Sequence, residues 1–301
     1  MREKILAAMN SSKADYTEIR IEQRESTSVA YRGKDLETAS AVIDAGGIVR
    51  CMCRGGGWGV ATFNDRDDLV SKVEQAYQCA RVAESEEPIE LSPIPVSEDA
   101  ITVSLDHDFR GVSMADKVAL ASAYNDTMRE HSAKIVDTMC RYGDTFSRVY
   151  FANSEGTFLE EERPMITLYT VAIAREGDNV QTAAESRSGQ RGFDYVQGRH
   201  DLPQSAAQRA VDLLSAESVV GGQYPVVLNQ RLAGVFIHEA FGHLSESDFV
   251  YENPRAQEMM VLGRRFGQDI LTVFDDGSLP GLRGTHKYDD EGTPTGRSDL
   301  I

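Results

Sequence analysis

Apolar and polar side chains alternate with period two in short runs between Tyr16 and Ala174, which confines much of the chain to half-buried strands. Residues 16–22 set Ile19 and Ile21 between Glu18, Arg20 and Glu22, the pattern of a strand with one wet face. Residues 28–31, 41–44, 47–54 and 58–62 are short, β-branched or alternating, and parted by Gly-rich or polar turns, so an antiparallel meander is expected. The period then changes. Leu69, Val73, Ala76, Tyr77 and Ala80 recur at three- and four-residue intervals, predicting a helix from near Asp65 to about Ala83 with one face on the sheet.

Residues 84–97 hold Pro88, Pro93 and Pro95 among four glutamates, a composition that disfavours helix and sheet alike and predicts a connector. Ser113 with Asp116 resembles a capping box opening a helix to about His131. Strands are then expected at 135–142, 148–152, 157–162 and 165–174, with a tight turn at Asn153-Ser154-Glu155-Gly156. A helix follows from Asp201 to about Ala216, with Pro203 in its first turn. The fold class is therefore α+β, antiparallel sheets with packed helices. The order strands, helix, strands, helix hints at duplication, though no residue-level repeat supports one.

The chain has 301 residues, 41% of them apolar, enough to bury a sizeable core. Its formal charge of −17 repels phosphate backbones and anionic lipid surfaces, so neither nucleic acid nor membrane is an expected partner. No apolar run is long enough to span a bilayer, and residues 5–9 are too short for a signal-peptide core. Four cysteines without a disulfide-framework spacing make a reducing cytoplasm the expected compartment.

Asn229 is a good N-cap, and residues 232–244 are apolar almost all the way round, which predicts a buried helix. That helix carries His238, Glu239 and His243, groups that are costly to desolvate unless hydrogen-bonded, paired or coordinated to a metal. Their spacing, His-Glu-x-x-x-His, is one residue longer than that of zincins. At about 100° per residue, a regular helix sets the two imidazoles about 140° apart, too far round to share one ion. Gly242 offers a remedy, because glycine tolerates a π-bulge or a break that swings His243 back onto the face of His238. Zinc suits two neutral imidazoles plus a third protein ligand, with Glu239 placed to act on the water the metal activates. The alternative is a pair of core histidines hydrogen-bonded to backbone and to Glu239.

The segment His-Glu-Ala-Phe-Gly-His-Leu-Ser-Glu-Ser, the preceding Val-Leu-Asn and the later Tyr288-Asp289-Asp290-Glu291-Gly292-Thr293-Pro294-Thr295 closely resemble the TldD/PmbA family, specifically its metal-binding TldD branch. Arg-Gly-Gly-Gly-Trp-Gly at 54–59 and Asn-Ser-Glu-Gly at 153–156 look like further landmarks. The resemblance implies a zinc-dependent peptidase acting on short or unfolded polypeptides, including leader segments of modified peptides. It further implies metal ligands His238 and His243, Glu239 as the catalytic base, and assembly with a sibling subunit that lacks the histidine motif. On that basis residues 1–220 form an α+β N-terminal domain, and residues 221–301 begin a mostly β metallopeptidase C-terminal domain carrying the buried helix. Members of this branch continue well beyond such a stretch and draw a third ligand from a late cysteine. No cysteine follows Cys140 here, so the chain is expected to be a truncated portion, its third ligand beyond Ile301 unless Glu246, Asp248 or a second chain completes the site. Self-association is expected if a sibling is absent.

Other motifs have plainer readings. Cys51 and Cys53 point to one face of a strand and read as core. The Gly-rich 54–59 stretch lacks the P-loop Lys-Ser/Thr and reads as a hairpin turn. Asp289-Asp290-Glu291-Gly292 reads as a solvated turn, with a structural or substrate-side role left open. His107, His131, His200 and His286 have no partner at ligand spacing. The competing function is a non-catalytic partner or modulator subunit of such a complex, and metal content separates the two.

Overall fold

The computed structural model describes residues 1–55, 57–64, 69–83 and 89–301. They divide into two compact units. One comprises Met1–Ala216 with Pro280–Pro294, the other Glu217–Leu279 with Thr295–Ile301.

The first unit is a mixed sheet with helices, as the α+β expectation has it. In chain order it contains α1 (Arg2–Asn10), β1 (Tyr16–Arg32), β2 (Asp35–Met52), β3 (Trp58–Phe63), α2 (Leu69–Val82), β4 (Glu98–Ile101), α3 (Met114–Arg129), β5 (Ile135–Asn153), β6 (Phe158–Glu176), β7 (Asn179–Gly189) and α4 (Asp201–Leu213). The strands lie in the order β3-β2-β1-β5-β6-β4, and β7 also pairs with β6. All pairings are antiparallel except β4 with β6. The expected start of α2 near Asp65, and the first part of the acidic connector, lie outside the described residues.

The strands are longer than their sequence pattern suggests. Residues 16–22 and 28–31 belong to one continuous strand, because β1 is paired along its length by β2 on one side and for most of it by β5 on the other. Gly46 and Gly47 mark close approach and not a turn: a Cβ on Gly47 would fall on the Phe63 ring. Likewise β6 runs through Pro164, which lies in the gap between the stretch paired with β4 and the stretch paired with β7, where an outer ladder bond is not demanded.

Alternation sends odd-numbered residues of β1 and even-numbered residues of β5 to one face. There Ile19, Ile21, Val49, Cys51, Tyr150 and Ala152 pack with Ile5, Val73 and Ala76 of α1 and α2. Farther along the same face Val29, Cys140, Tyr142, Ile166 and Leu168 pack with Tyr124 and Met128 of α3 and the alanines of α4. A buried ion pair lies in this second core, Lys117 Nζ to Asp144 at 2.6 Å, with both side chains about 95% covered. Tyr142 donates to the same carboxylate at 2.5 Å and Lys117 donates to Thr27 at 3.1 Å. Burial first, and the adjacent Asp144 second, push the Tyr142 hydroxyl well above its ordinary range.

The opposite face receives the returning segment 280–294. Tyr288 is buried with Phe151 and Leu159. Its hydroxyl donates to Asp99 at 3.0 Å, and Lys287 pairs with Asp99 at 2.6 Å. Asp290 meets Arg20 at 3.1 Å and Arg163 at 3.4 Å, and Glu291 meets Arg50 at 2.8 Å. Arg50 also bonds Glu18. The Asp-Asp-Glu-Gly turn is therefore clamped by arginines of β1, β2 and β6, while Asp289 accepts from the backbone of Glu291 and Thr293 and shapes the turn.

Candidate metal centre

The second unit contains α5 (Gln230–Ile237), α6 (Ser247–Glu252), α7 (Pro254–Met259) and a short antiparallel pair, β8 (Phe274–Asp276) with β9 (Arg297–Asp299). Asn229 caps α5 as expected: it is extended, and its side-chain oxygen accepts from Leu232 N at 2.9 Å. After Ile237 the backbone widens into a single π-turn over His238–Gly242, closed by the His243 amide donating to the His238 carbonyl. A 3₁₀ turn, His243–Ser245, follows.

The wider turn solves the spacing problem. An i→i+5 closure places residues five apart on adjoining positions, and the imidazole centroids of His238 and His243 are 4.3 Å apart, edge to face at 63°. Glu239 Oε2 is 3.9 Å from His243 Nε2. His243 Nδ1 is 2.9 Å from Glu246 Oε1. One donor atom from each of His238, Glu239 and His243 lies within 4.8 Å of the others. Among the described residues no other three His, Cys, Asp or Glu side chains converge in this way. Two imidazoles are donors that suit a first-row divalent ion, and the carboxylate lies beside them.

Two expectations need correction. The helix is not buried: no residue of α5 is buried, Phe236 is 58% exposed, and His238, Glu239 and His243 are all exposed. The reason is that no sheet packs over α5 within its unit, whose other elements are short. Only Phe241 of the π-turn is buried, against Phe266 at 5.0 Å. Nor does steric relief at Gly242 explain the turn. Its backbone is ordinary right-handed helix, and a Cβ there would meet the His238 ring at 3.6 Å, a normal contact.

Other candidates fall where the sequence places them. Cys51 and Cys140 are buried, and burial pushes the Cys140 thiol up to about 12, so neither offers a thiolate. Asp248 bonds the Phe249 amide and is outside the convergent set. His131 bonds Gln208 and His200 bonds Thr127. The arginine clamp on Asp290 and Glu291 left no mark in the sequence pattern, because its partners lie more than a hundred positions away. No helix among the described residues is long and apolar enough to cross a membrane.

Models of the PmbA/TldA metallopeptidase domain 1, central domain and C-terminal domain match residues 17–80, 107–214 and 221–301. A metalloprotease of Synechocystis sp. is 43% identical over 291 residues, covering 96% of this chain and 62% of that protein. A metalloprotease of Methanocaldococcus jannaschii is 32% identical over 292 residues, covering 95% and 64%. A zinc metalloprotease TldD homolog of Saccharolobus solfataricus is 24% identical over 295 residues, covering 93% and 60%. The chain thus spans about three fifths of the length of these relatives. Among solved structures, a putative modulator of DNA gyrase from Bacteroides thetaiotaomicron superposes with a TM-score of 0.83 at 19% identity, over 100% of this chain and 69% of that one. TldE from Thermococcus kodakarensis gives 0.73 at 20% identity, over 100% and 67%. At these identities the structures show a shared fold. Matched in order by three domain models, the chain belongs to the PmbA/TldD family of metallopeptidases.

Proposed function

We propose that this chain carries the zinc-holding part of a peptidase that hydrolyses short or unfolded polypeptides. The observation that supports it most is the π-turn, which brings His238 and His243 together beside Glu239 from a spacing at which a regular helix would hold the two imidazoles apart. His238 and His243 would hold the ion. Zinc supplies Lewis acidity, activating water and polarising the scissile carbonyl. Glu239, beside one ligand and within 3.9 Å of the other, takes the proton from the attacking water and returns it to the leaving amine. A zinc name among the relatives supports that metal over its neighbours.

Two imidazoles leave a catalytic zinc one protein ligand short, so a third must join them. The exposed apolar side chains Leu232, Val235 and Phe236 of α5 favour burial against further protein, consistent with a sibling subunit or a second copy. Four free thiols fit a reducing cytoplasm. In an active assembly, Glu239→Gln should lower peptide hydrolysis by roughly 10²- to 10⁴-fold with zinc retained, whereas His238→Ala should lose both. Near-normal turnover of the zinc-loaded Glu239→Gln protein would remove Glu239 as the base. Loss of metal would make it a ligand.

A further inference from the structure

Glu246 is not part of the convergent donor set, yet it makes a hydrogen bond that defines a ring nitrogen of the candidate site. Its Oε1 is 2.9 Å from His243 Nδ1, three residues back across the 3₁₀ turn. A carboxylate only accepts, so Nδ1 must carry the proton. In a neutral imidazole the lone pair then resides on Nε2. That nitrogen is the one 3.9 Å from Glu239 Oε2.

We infer that Glu246 is a positioning residue for His243: it holds the ring as the Nδ1–H tautomer and so presents Nε2 to a divalent cation. The inference rests on the metal-site reading above. The geometry also separates this role from that of a third ligand, because Glu246 occupies the nitrogen that faces away from Glu239. The local backbone supports the arrangement. Gly242 and His243 are both helical, and the chain leaves the 3₁₀ turn at Glu246 with an extended ψ of 131°. The side chain thus starts from a fixed corner. A partner of this kind typically raises metal affinity 10- to 100-fold by orienting the ligand and raising its basicity.

The test uses two readouts on the 301-residue chain at pH 8, where an ordinary imidazole is neutral. Nitrogen-15 spectra of histidine-labelled protein, with the His243 signal assigned by its loss in His243→Ala, report the tautomer without any metal. Competition with a chromophoric chelator reports zinc affinity. Wild type should show a predominantly Nδ1–H ring. Glu246→Ala should show the tautomer mixture of a solvated imidazole and zinc affinity lower by roughly 10- to 100-fold. Glu246→Gln keeps a carbonyl acceptor and should restore most of the tautomer bias and part of the affinity. A His243 ring unchanged in Glu246→Ala overturns the inference, as does unchanged affinity beside a wild type that binds zinc. A wild type with the Nδ1–H ring but no zinc uptake overturns the metal-site reading instead, and the tautomer result still stands.

Discussion

His238 and His243 face each other across 4.3 Å although they are five positions apart, and the π-turn between them is the cause. The Phe241–Phe266 contact anchors that turn, and Gly242 supplies no steric necessity. Gly242→Ala should therefore keep the ring contact and leave zinc affinity within about fivefold of wild type, the scale of the roughly 1 kcal/mol by which alanine favours a regular helix over glycine. Chelator competition on the variant measures it. Complete loss of zinc uptake would return the glycine to the role its position in the sequence suggests.

The Lys117–Asp144 pair makes a separate prediction. Removing one member leaves the other charge buried, so Lys117→Met should cost about 3–5 kcal/mol in urea unfolding. The double variant Lys117→Met with Asp144→Leu should recover most of that loss, because replacing a whole buried pair by apolar side chains is often neutral. Equal loss in single and double variants would mean that the hydrogen bonds from Tyr142 to Asp144 and from Lys117 to Thr27, and not the pair itself, carry the stability.

Docking of segment 280–294 should respond to both shape and pH. Gly292 has φ +80°, and a Cβ on it would come within 2.5 Å of the Phe151 ring, so Gly292→Ala should increase amide exchange at residues 288–294. The hydrogen bond from Lys287, with Tyr288 adding to it, holds the Asp99 carboxyl below its usual range. A lowered folded-state pKa contributes stability that is complete above the ordinary carboxylate value of about 4 and is lost as pH falls through the lowered one. Protection of the segment, corrected for intrinsic exchange, should hold at neutral pH and weaken below about pH 4. Asp99→Asn should lose part of that dependence. A response identical to wild type would exclude Asp99 as its source.

The parts of this architecture written in neighbouring residues were legible in the sequence. Ser113 caps α3 through the Asp116 amide and Asn229 caps α5 through the Leu232 amide, and both caps act within three positions. The Asn153–Gly156 turn closes through Asn153 Oδ1, again locally, with Gly156 at φ +110°. Strand length was not legible, because the continuity of β1 is set by partners on two other strands, and β7 was missed since its polar-rich alternation looks like loop. At the site, the residue types and the need for a departure from regular helix, a π-bulge or a break, could be read from the spacing. The exposure of α5 could not, since periodicity reports which faces are apolar and not whether anything covers them. The role of Asp290 and Glu291 was hidden for the same reason as strand length: their arginines come from β1, β2 and β6.

Zinc titration of the purified chain beside His238→Ala and His243→Ala asks whether the two histidines together hold a divalent ion. Wild type should show saturable one-to-one binding, weak because two imidazoles leave zinc short of a protein ligand, and both variants should lose it. Binding that survives either substitution would remove the two histidines as joint ligands, and tight equimolar zinc in wild type would require a further ligand from the chain itself or from a second chain.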